Sequence, residues 1–101
     1  MEKNQGQPQA QIQVELGEKE AEGIYSNVVC IAHSPSEVIL DFARALPGLQ
    51  KAKVYARVIL TPQHAKSLLM ALDQNLKNYE GQFGAIKLPG EPRGKELGFK
   101  S

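Results

Sequence analysis

The pattern of apolar and polar residues predicts β-strands in three separate stretches of the chain. In residues 11–16, QIQVEL, every second residue is apolar, which is the period of a half-buried strand. Residues 24–33, IYSNVVCIAH, are rich in β-branched and aromatic residues and show no helical stripe. Residues 51–60, KAKVYARVIL, alternate again from Val54 to Leu60. We therefore predict a strand in each stretch.

The segment after the second strand is compatible with two structures. Ser34 as N-cap, Pro35 at the first helical position and Glu37 three residues after the serine favour a helix. Residues 38–43, VILDFA, favour a strand, because two of the first three are β-branched and the side chains alternate. Ser-Pro-Ser serves equally well as a turn. We prefer the strand for residues 37–45, and the residues alone leave the helix open.

A long amphipathic helix is predicted from Pro62 to about Phe83. Thr61 is a suitable N-cap, and proline is favoured at the first helical position. Apolar side chains then follow at alternating spacings of four and three, opposite a charged face. This helix stripe consists of Ala65, Leu69, Leu72, Leu76, Tyr79 and Phe83, with Leu68 beside it. About twenty residues give a helix roughly 30 Å long, enough to cross a small sheet.

These elements predict an α+β fold in which a four-stranded antiparallel β-meander is followed by one long C-terminal helix packed on one face. The chain has 101 residues, which suffices for one modest core and a single domain over residues 11–84. Residues 1–10 are rich in Gln, Asn, Gly and Pro, and residues 85–101 in Pro and Gly. Such compositions predict flexible tails at both ends.

Charge and cysteine content argue against several partners. The net charge is +1, so no global field attracts nucleic acid or an anionic membrane, and we expect neither partner. Cys30 is the single cysteine, which excludes an internal disulfide and fits a reducing compartment. No apolar run approaches the length needed to span a bilayer, and no signal-peptide core precedes the first strand. A cytoplasmic location is the resulting expectation.

The candidate chemistry is sparse. His33 and His64 are the only histidines, and neither belongs to a metal-binding or general-base motif. Cys30 lies in the apolar run VVCIA, which predicts a buried small side chain and not a reactive thiolate. Asp41 is interpreted as a cross-strand ion pair, with Arg57 as its candidate partner. We expect no catalytic residue, no cofactor and no metal, and hence a protein that is not an enzyme.

A competing hypothesis keeps a small-ligand-binding or enzymatic function open. Residues far apart in sequence can still meet at one end of a sheet, within the hydrogen-bond reach that acid–base chemistry needs. The side chains that would have to converge are His33, Asp41, Arg57 and His64.

Two apolar surfaces suggest self-association instead. The four-three spacing of the helix stripe suits packing on the chain's own sheet, and it is also the spacing of a coiled coil. The second face of the sheet carries more apolar area than a monomer usually leaves uncovered. We expect a homo-oligomer, dimer or larger, with a possible protein or peptide partner. The interface candidates are Ile39, Tyr55, Arg57, Ile59, Leu69, Leu76, Tyr79 and Phe83.

Residues 22–48 and 51–84 resemble a family of small prokaryotic proteins known as domain of unknown function 3467. The resemblance rests on several short motifs: Tyr25-Ser26-Asn27, His33-Ser34-Pro35-Ser36-Glu37, Asp41-Phe42, Pro47-Gly48, Lys53-Val54, Arg57, Pro62-Gln63-His64-Ala65-Lys66, Tyr79-Glu80 and Phe83-Gly84. The family has no assigned activity, so the resemblance implies a structural unit and no catalytic residue.

The order of four strands and one helix is also similar to the core of the export chaperone SecB. This likeness concerns topology alone and transfers no function, although it implies an oligomeric binding module. It also implies that Ser34-Pro35-Ser36 turns the chain between strands, and that Val38, Leu40 and Phe42 face the helix.

Overall fold

The structure is a computed structural model that describes residues 12–89 and the backbone of residues 99 and 100. Its elements, in chain order, are α1 (Glu18–Ala21), β1 (Val28–His33), β2 (Val38–Arg44), β3 (Lys53–Leu60), α2 (Pro62–Phe83) and β4 (Phe99–Lys100).

The sheet is an antiparallel meander of three strands with a short addition at one edge. β2 lies in the centre and pairs antiparallel with both β1 and β3. The two residues of β4 pair in parallel with Val29 and Cys30 of β1, which gives the strand order β3-β2-β1-β4. The α+β class and the antiparallel meander followed by a helix are thus confirmed.

The turn between β1 and β2 decides between helix and strand for residues 37–45. The amide of Ser34 donates to the carbonyl of Glu37 over 2.9 Å, and the amide of Ser36 donates to the Ser34 hydroxyl over 3.3 Å. These bonds close a hairpin in which His33 lies opposite Val38. The strand interpretation is confirmed, because β2 begins directly after this turn.

Side chains before β1 extend the pairing between β1 and β2 beyond the strands. The Asn27 side chain donates to the Ala45 carbonyl over 3.1 Å and accepts from the Ala45 amide over 2.9 Å. The Ser26 hydroxyl donates to the carbonyl of Ala43 over 2.8 Å. The side-chain amide of Asn27 therefore replaces a backbone group and extends the pairing of the two strands by one residue.

The connection from β2 to β3 turns at Pro47 and Gly48. The Leu49 amide donates to the Leu46 carbonyl over 3.2 Å, and Gly48 has φ of 84°. Proline followed by a residue with positive φ is the requirement of a type II turn, which explains the glycine. A β-bulge follows, since Phe42 pairs with Ala56 whereas the next residue of β2 pairs with Val54.

Helix α2 has the predicted bounds and the predicted start. The Thr61 hydroxyl accepts from the His64 amide over 3.1 Å, and Pro62 occupies the first turn. At the other end, Gly84 adopts φ of 98°, and its amide donates to the Glu80 carbonyl over 2.9 Å. Both ends are therefore set by local capping.

The predicted first strand is wrong. Residues 12–17 have no regular secondary structure, and the following residues form the one-turn helix α1. The apolar side chains of this segment lie in solvent: Ile12 is 84% exposed, Val14 94% and Leu16 71%. The alternation is present, but no strand of the described chain pairs with it, and pairing is what makes an alternating segment a strand.

The prediction that α2 packs on the sheet of its own chain is also wrong. No residue of α2 is buried, and the buried apolar side chains among the described residues are Leu40 and Ala43. A single residue, Thr61, separates β3 from α2. Strand-to-helix connections usually have two to six residues, so this one is unusually short for folding a helix back over a sheet.

The predicted tails fall largely outside the described residues. Residues 1–10 lie outside them entirely. Of residues 85–101, the structure describes 85–89, which have no strand or helix, and the backbone of Phe99–Lys100. Both tails stay predictions.

Asn27→Ala should destabilise the fold. The substitution removes both side-chain bonds to Ala45, so we expect a loss of about 1–2 kcal/mol in the free energy of unfolding. The measurement is urea denaturation at one fixed protein concentration. Asn78→Ala is the matched control, because Asn78 makes one exposed side-chain bond, to Gln74, and should change stability by less than about 0.5 kcal/mol. Equal effects of the two substitutions would contradict the role of Asn27.

Candidate assembly surfaces

The two faces of the sheet differ in chemistry. Side chains alternate along each strand, so the register assigns every residue to a face. The apolar face carries Val29, Ile31, His33, Val38, Leu40, Phe42, Ala56, Val58 and Leu60. The ion-pair face carries Val28, Cys30, Ala32, Ile39, Asp41, Ala43, Val54, Arg57 and Ile59. Each face is largely aliphatic, and a sheet of this kind needs cover on at least one side.

The predicted ion pair between Asp41 and Arg57 is confirmed. The two residues lie directly opposite each other on β2 and β3. Arg57 Nε donates to Asp41 Oδ1 over 2.7 Å and Nη2 donates to Oδ2 over 2.9 Å. This is a bidentate arrangement, which fixes the guanidinium orientation more firmly than a single contact would.

The pair shifts the titration of both groups. The hydrogen bond from Arg57 lowers the pKa of the Asp41 carboxyl below its usual value, and the nearby positive charge acts in the same direction. The hydrogen bond to Asp41 raises the pKa of the Arg57 guanidinium. The Arg57 side chain remains 61% exposed and that of Asp41 17%, so solvent screens the pair and its main effect is orientation.

Alternation along β3 would place Tyr55 on the same face as Arg57 and Ile59, but the structure separates it from them. The bulge makes it the extra residue of β3, and its ring lies under two cationic side chains. The Arg44 guanidinium is 4.3 Å from the ring centroid and the Lys53 ammonium 5.2 Å. Arg44 Nε is buried and has no hydrogen-bond partner among the described residues. Sequence reasoning missed Arg44, because a bulge cannot be located from alternation alone.

The helix stripe is exposed to solvent along its length. Half or more of the surface of Leu69, Leu72 and Phe83 is accessible, at 63%, 50% and 67%. The Tyr79 and Phe83 rings contact each other with centroids 4.9 Å apart, so the distal end presents a continuous aromatic surface. The remaining interface candidates on α2 and β3 are also exposed: Leu76, Tyr79, Tyr55, Arg57 and Ile59. Ile39 is half-buried.

The four polar residues of the competing hypothesis do not form one site. His33 and Leu60 both lie level with Val38 at one end of the sheet, and His64 follows in the first turn of α2. Asp41 is three residues further along β2, which is roughly 10 Å and places it on the opposite face from His33. Among the described residues, no hydrogen bond joins either histidine side chain to the ion pair.

Cys30 is exposed on the ion-pair face, which corrects the prediction of a buried side chain. It lies directly opposite Asp41 in the register. The sequence around it is apolar, but neither side of this part of the sheet is covered by α2, so an apolar neighbourhood in sequence does not produce burial.

Other features of the described residues offer no chemical centre. Residues 12–89 contain no group of three or more His, Cys, Asp or Glu side chains placed to hold a metal ion. One surface hollow is lined by loop residues 48–51 and another by residues between 19 and 24, from α1 and the loop after it, and neither includes the ion pair or a histidine. Within the same described part, no helix is both long and apolar enough to cross a membrane.

The fold and its surfaces define a small α+β domain in which an antiparallel three-stranded sheet leads into one long exposed helix. The chain belongs to the family described as protein of unknown function, DUF3467, which matches it over residues 1–88. The family resemblance inferred from the motifs is therefore confirmed. No curated protein and no solved structure matches the chain, and the likeness to SecB is not confirmed.

Asp41→Asn should reduce the acid sensitivity of the fold. Because the folded-state pKa of Asp41 is lowered, the ionised pair stabilises the fold above the unfolded-state pKa of about 3.9. That stabilisation is lost as the pH falls through the lower folded-state pKa. In urea denaturation, the midpoint of the unmodified chain should fall as the pH is lowered from about 3.9 through the folded-state pKa of Asp41. The midpoint of the variant should fall less.

The matched control for this prediction is Asp73→Asn, which removes the exposed helical pair with Lys77 and leaves the sheet pair intact. The control should keep the acid dependence of the unmodified chain. Identical profiles for the two variants would show that the sheet pair does not couple to folding.

Proposed function

We propose that this protein is a non-catalytic homo-oligomeric assembly module whose helix stripe is covered by a second copy of the chain. The observation that carries the proposal is the exposure of the stripe together with the small core: Leu40 and Ala43 are the buried apolar residues of the described chain. Homodimers with twofold symmetry are the commonest oligomers and bring identical surfaces together.

The energetics support cover by another chain. Fixing the backbone of each residue costs about 1–2 kcal/mol in conformational entropy. Taking a leucine- or phenylalanine-sized side chain fully out of water returns about 1.5–3 kcal/mol. A helix of 22 residues with no buried side chain therefore lacks the burial that normally stabilises helices in proteins.

The spacing of the stripe suits an antiparallel pair of identical helices. Its spacings of four, three, four, three and four read the same in both directions around Gln74. An antiparallel copy therefore places Leu72 opposite Leu76, Leu69 opposite Tyr79, and Ala65 opposite Phe83. A small residue meets a large one at each end, which favours close packing. A parallel pair would instead leave a gap between two copies of Ala65.

The flanking charges favour the same orientation. Beside the stripe, Lys66, Asp73 and Glu80 recur at intervals of seven residues, the position that faces its equivalent in an antiparallel pair. Lys66 of each copy then lies near Glu80 of the other. The two copies of Asp73 approach each other at the centre. Within each chain, Lys77 Nζ lies 3.1 Å from Asp73 Oδ2.

The ion-pair face of the sheet supplies a second part of the proposal, a surface for a protein or peptide partner. Ile39 and Ile59 are neighbours there, and Ile59 is 54% exposed. The bidentate pair beside them offers an oriented guanidinium next to an aliphatic patch. Aliphatic contact with one placed charge is a common composition for protein recognition.

The double substitution Leu72→Ala and Leu76→Ala should weaken self-association. Each chain loses two central contacts, so we expect the dissociation constant to rise at least about tenfold, which corresponds to 1.4 kcal/mol. Light scattering over a dilution series measures this, with circular dichroism reporting helix content.

Met70→Ala is the matched control for the helix stripe. Met70 is 65% exposed and lies outside the stripe, so its removal costs apolar surface without costing the proposed contact. The control should keep the mass of the unmodified chain at every concentration. If the unmodified chain has the mass of one folded copy throughout, the proposed assembly is wrong.

A further inference from the structure

One edge of the sheet has no neighbouring strand in the described chain. β1 is bordered by β4 at Val29 and Cys30, whereas β3 is the terminal strand on the other side. An edge strand presents a row of backbone donors and acceptors, and proteins normally protect such edges with bulges, charges or cover. The bulge near Val54 protects the start of β3. Residues 56–60, ARVIL, continue without a bulge and contain no proline or glycine.

A second segment has the pattern of a strand and no strand to pair with. Ile12, Val14 and Leu16 alternate with polar residues and are 71–94% exposed. Five extended residues span about 17 Å, the same length as the regular part of β3. The segment therefore matches the open edge in length. Its backbone donors and acceptors could pair with those of the edge strand.

We infer that residues 12–16 of one copy add as an antiparallel strand to residues 56–60 of a second copy, with Leu16 opposite Ala56, Val14 opposite Val58 and Ile12 opposite Leu60. This strand exchange rests on the proposed homo-oligomer and adds a second contact to it. Adding a strand to an exposed edge is a recurrent mode of recognition, in which the backbone supplies affinity and alternate side chains supply specificity.

The register follows from the two faces of β3. Ala56, Val58 and Leu60 belong to the apolar face, so pairing them with the three apolar residues of the segment extends that face by one strand. A shift by one residue would move all three apolar side chains to the ion-pair face.

Charge selects the antiparallel direction. In this register Glu15 lies directly opposite Arg57, whereas a parallel strand would place Gln13 there. The bond pair to Asp41 uses Nε and Nη2 of Arg57, so Nη1 remains for a second carboxylate. Opposite charges directly across a strand pair are favourable.

Pairing within one chain does not fit the conformation of the segment. Residues 12–17 carry no strand, and Val14 is 94% exposed, so in the single chain the segment lies free of the sheet. A second copy offers the same open edge without a change in the first. The interaction is thereby reciprocal, since each copy contributes one segment and one edge.

The test is a disulfide formed between two differently substituted chains. Both chains carry Cys30→Ser, which removes the exposed native thiol. One chain carries Leu16→Cys and the other Ala56→Cys; they are mixed, allowed to exchange and oxidised gently. Directly opposite residues bring their Cβ atoms close to the separation that a disulfide needs. We expect a linked heterodimer of twice the chain mass on a non-reducing gel.

Leu16→Cys mixed with Leu60→Cys is the matched control, because it would link only in a parallel strand. The antiparallel pair should exceed it at least about tenfold, by the geometric requirement of the disulfide. Val14→Cys with Val58→Cys should link in either direction and serves if a variant at Ala56 does not fold. A dominant link between positions 16 and 60 would overturn the register.

Solution mass separates the two proposals. If neither combination links and light scattering still gives a dimer or larger assembly, the strand exchange is wrong and the helix-mediated assembly stands. If the chain has the mass of one copy, both are wrong. A link that forms within a chain carrying both Leu16→Cys and Ala56→Cys, but not between separate chains, would also overturn the exchange between copies.

Discussion

The one-residue connection between β3 and α2 is the constraint on which the rest of the structure depends. Thr61 ends the strand, caps the helix and precedes Pro62, so the chain has no loop with which to reverse direction. No residue of the helix that follows is buried, so its apolar side chains are not packed on the preceding sheet. The connection at Thr61 and Pro62 therefore accounts for two uncovered surfaces, the helix stripe and the apolar face of the sheet.

This constraint explains why an ordinary composition gives so small a core. The chain is 42% apolar, yet Leu40 and Ala43 are the only apolar side chains that are buried among the described residues. Such a distribution is typical of a subunit whose core is completed by another chain. The apolar side chains are numerous enough for a core, but they lie on surfaces that a single chain leaves uncovered. In the proposed oligomer, the helix stripe is covered by the helix stripe of a second copy, and the open edge of β3 is covered by residues 12–16 of a second copy.

Local features of the fold could be predicted from the sequence because local physics determines them. The bounds of α2 follow from the Thr61 cap, Pro62 and Gly84, and the strand at residues 38–44 follows from the β-branched alternation. The pairing of Asp41 with Arg57 follows once β2 and β3 are adjacent and antiparallel. These predictions needed only neighbours in sequence or across one strand pair.

The errors concern contacts between elements. An alternating segment such as residues 12–16 reads as a strand whether its partner lies in the same chain or in another. An amphipathic helix is likewise predicted to cover its own sheet, although no residue of α2 is buried in the described chain. Tyr55 was misplaced because the bulge makes it an extra residue of β3 with no partner on β2, and Arg44, which contacts its ring, was missed with it.

The dependence of thermal unfolding on protein concentration tests most directly whether the core is completed between copies. If folding and association are coupled, the midpoint temperature of the unmodified chain must rise as the concentration is raised, since mass action favours the associated folded state. We expect a rise of several degrees over about a hundredfold in concentration, by the usual size of such effects. A cooperative transition whose midpoint does not change with concentration would show that a single chain is stable with its helix uncovered.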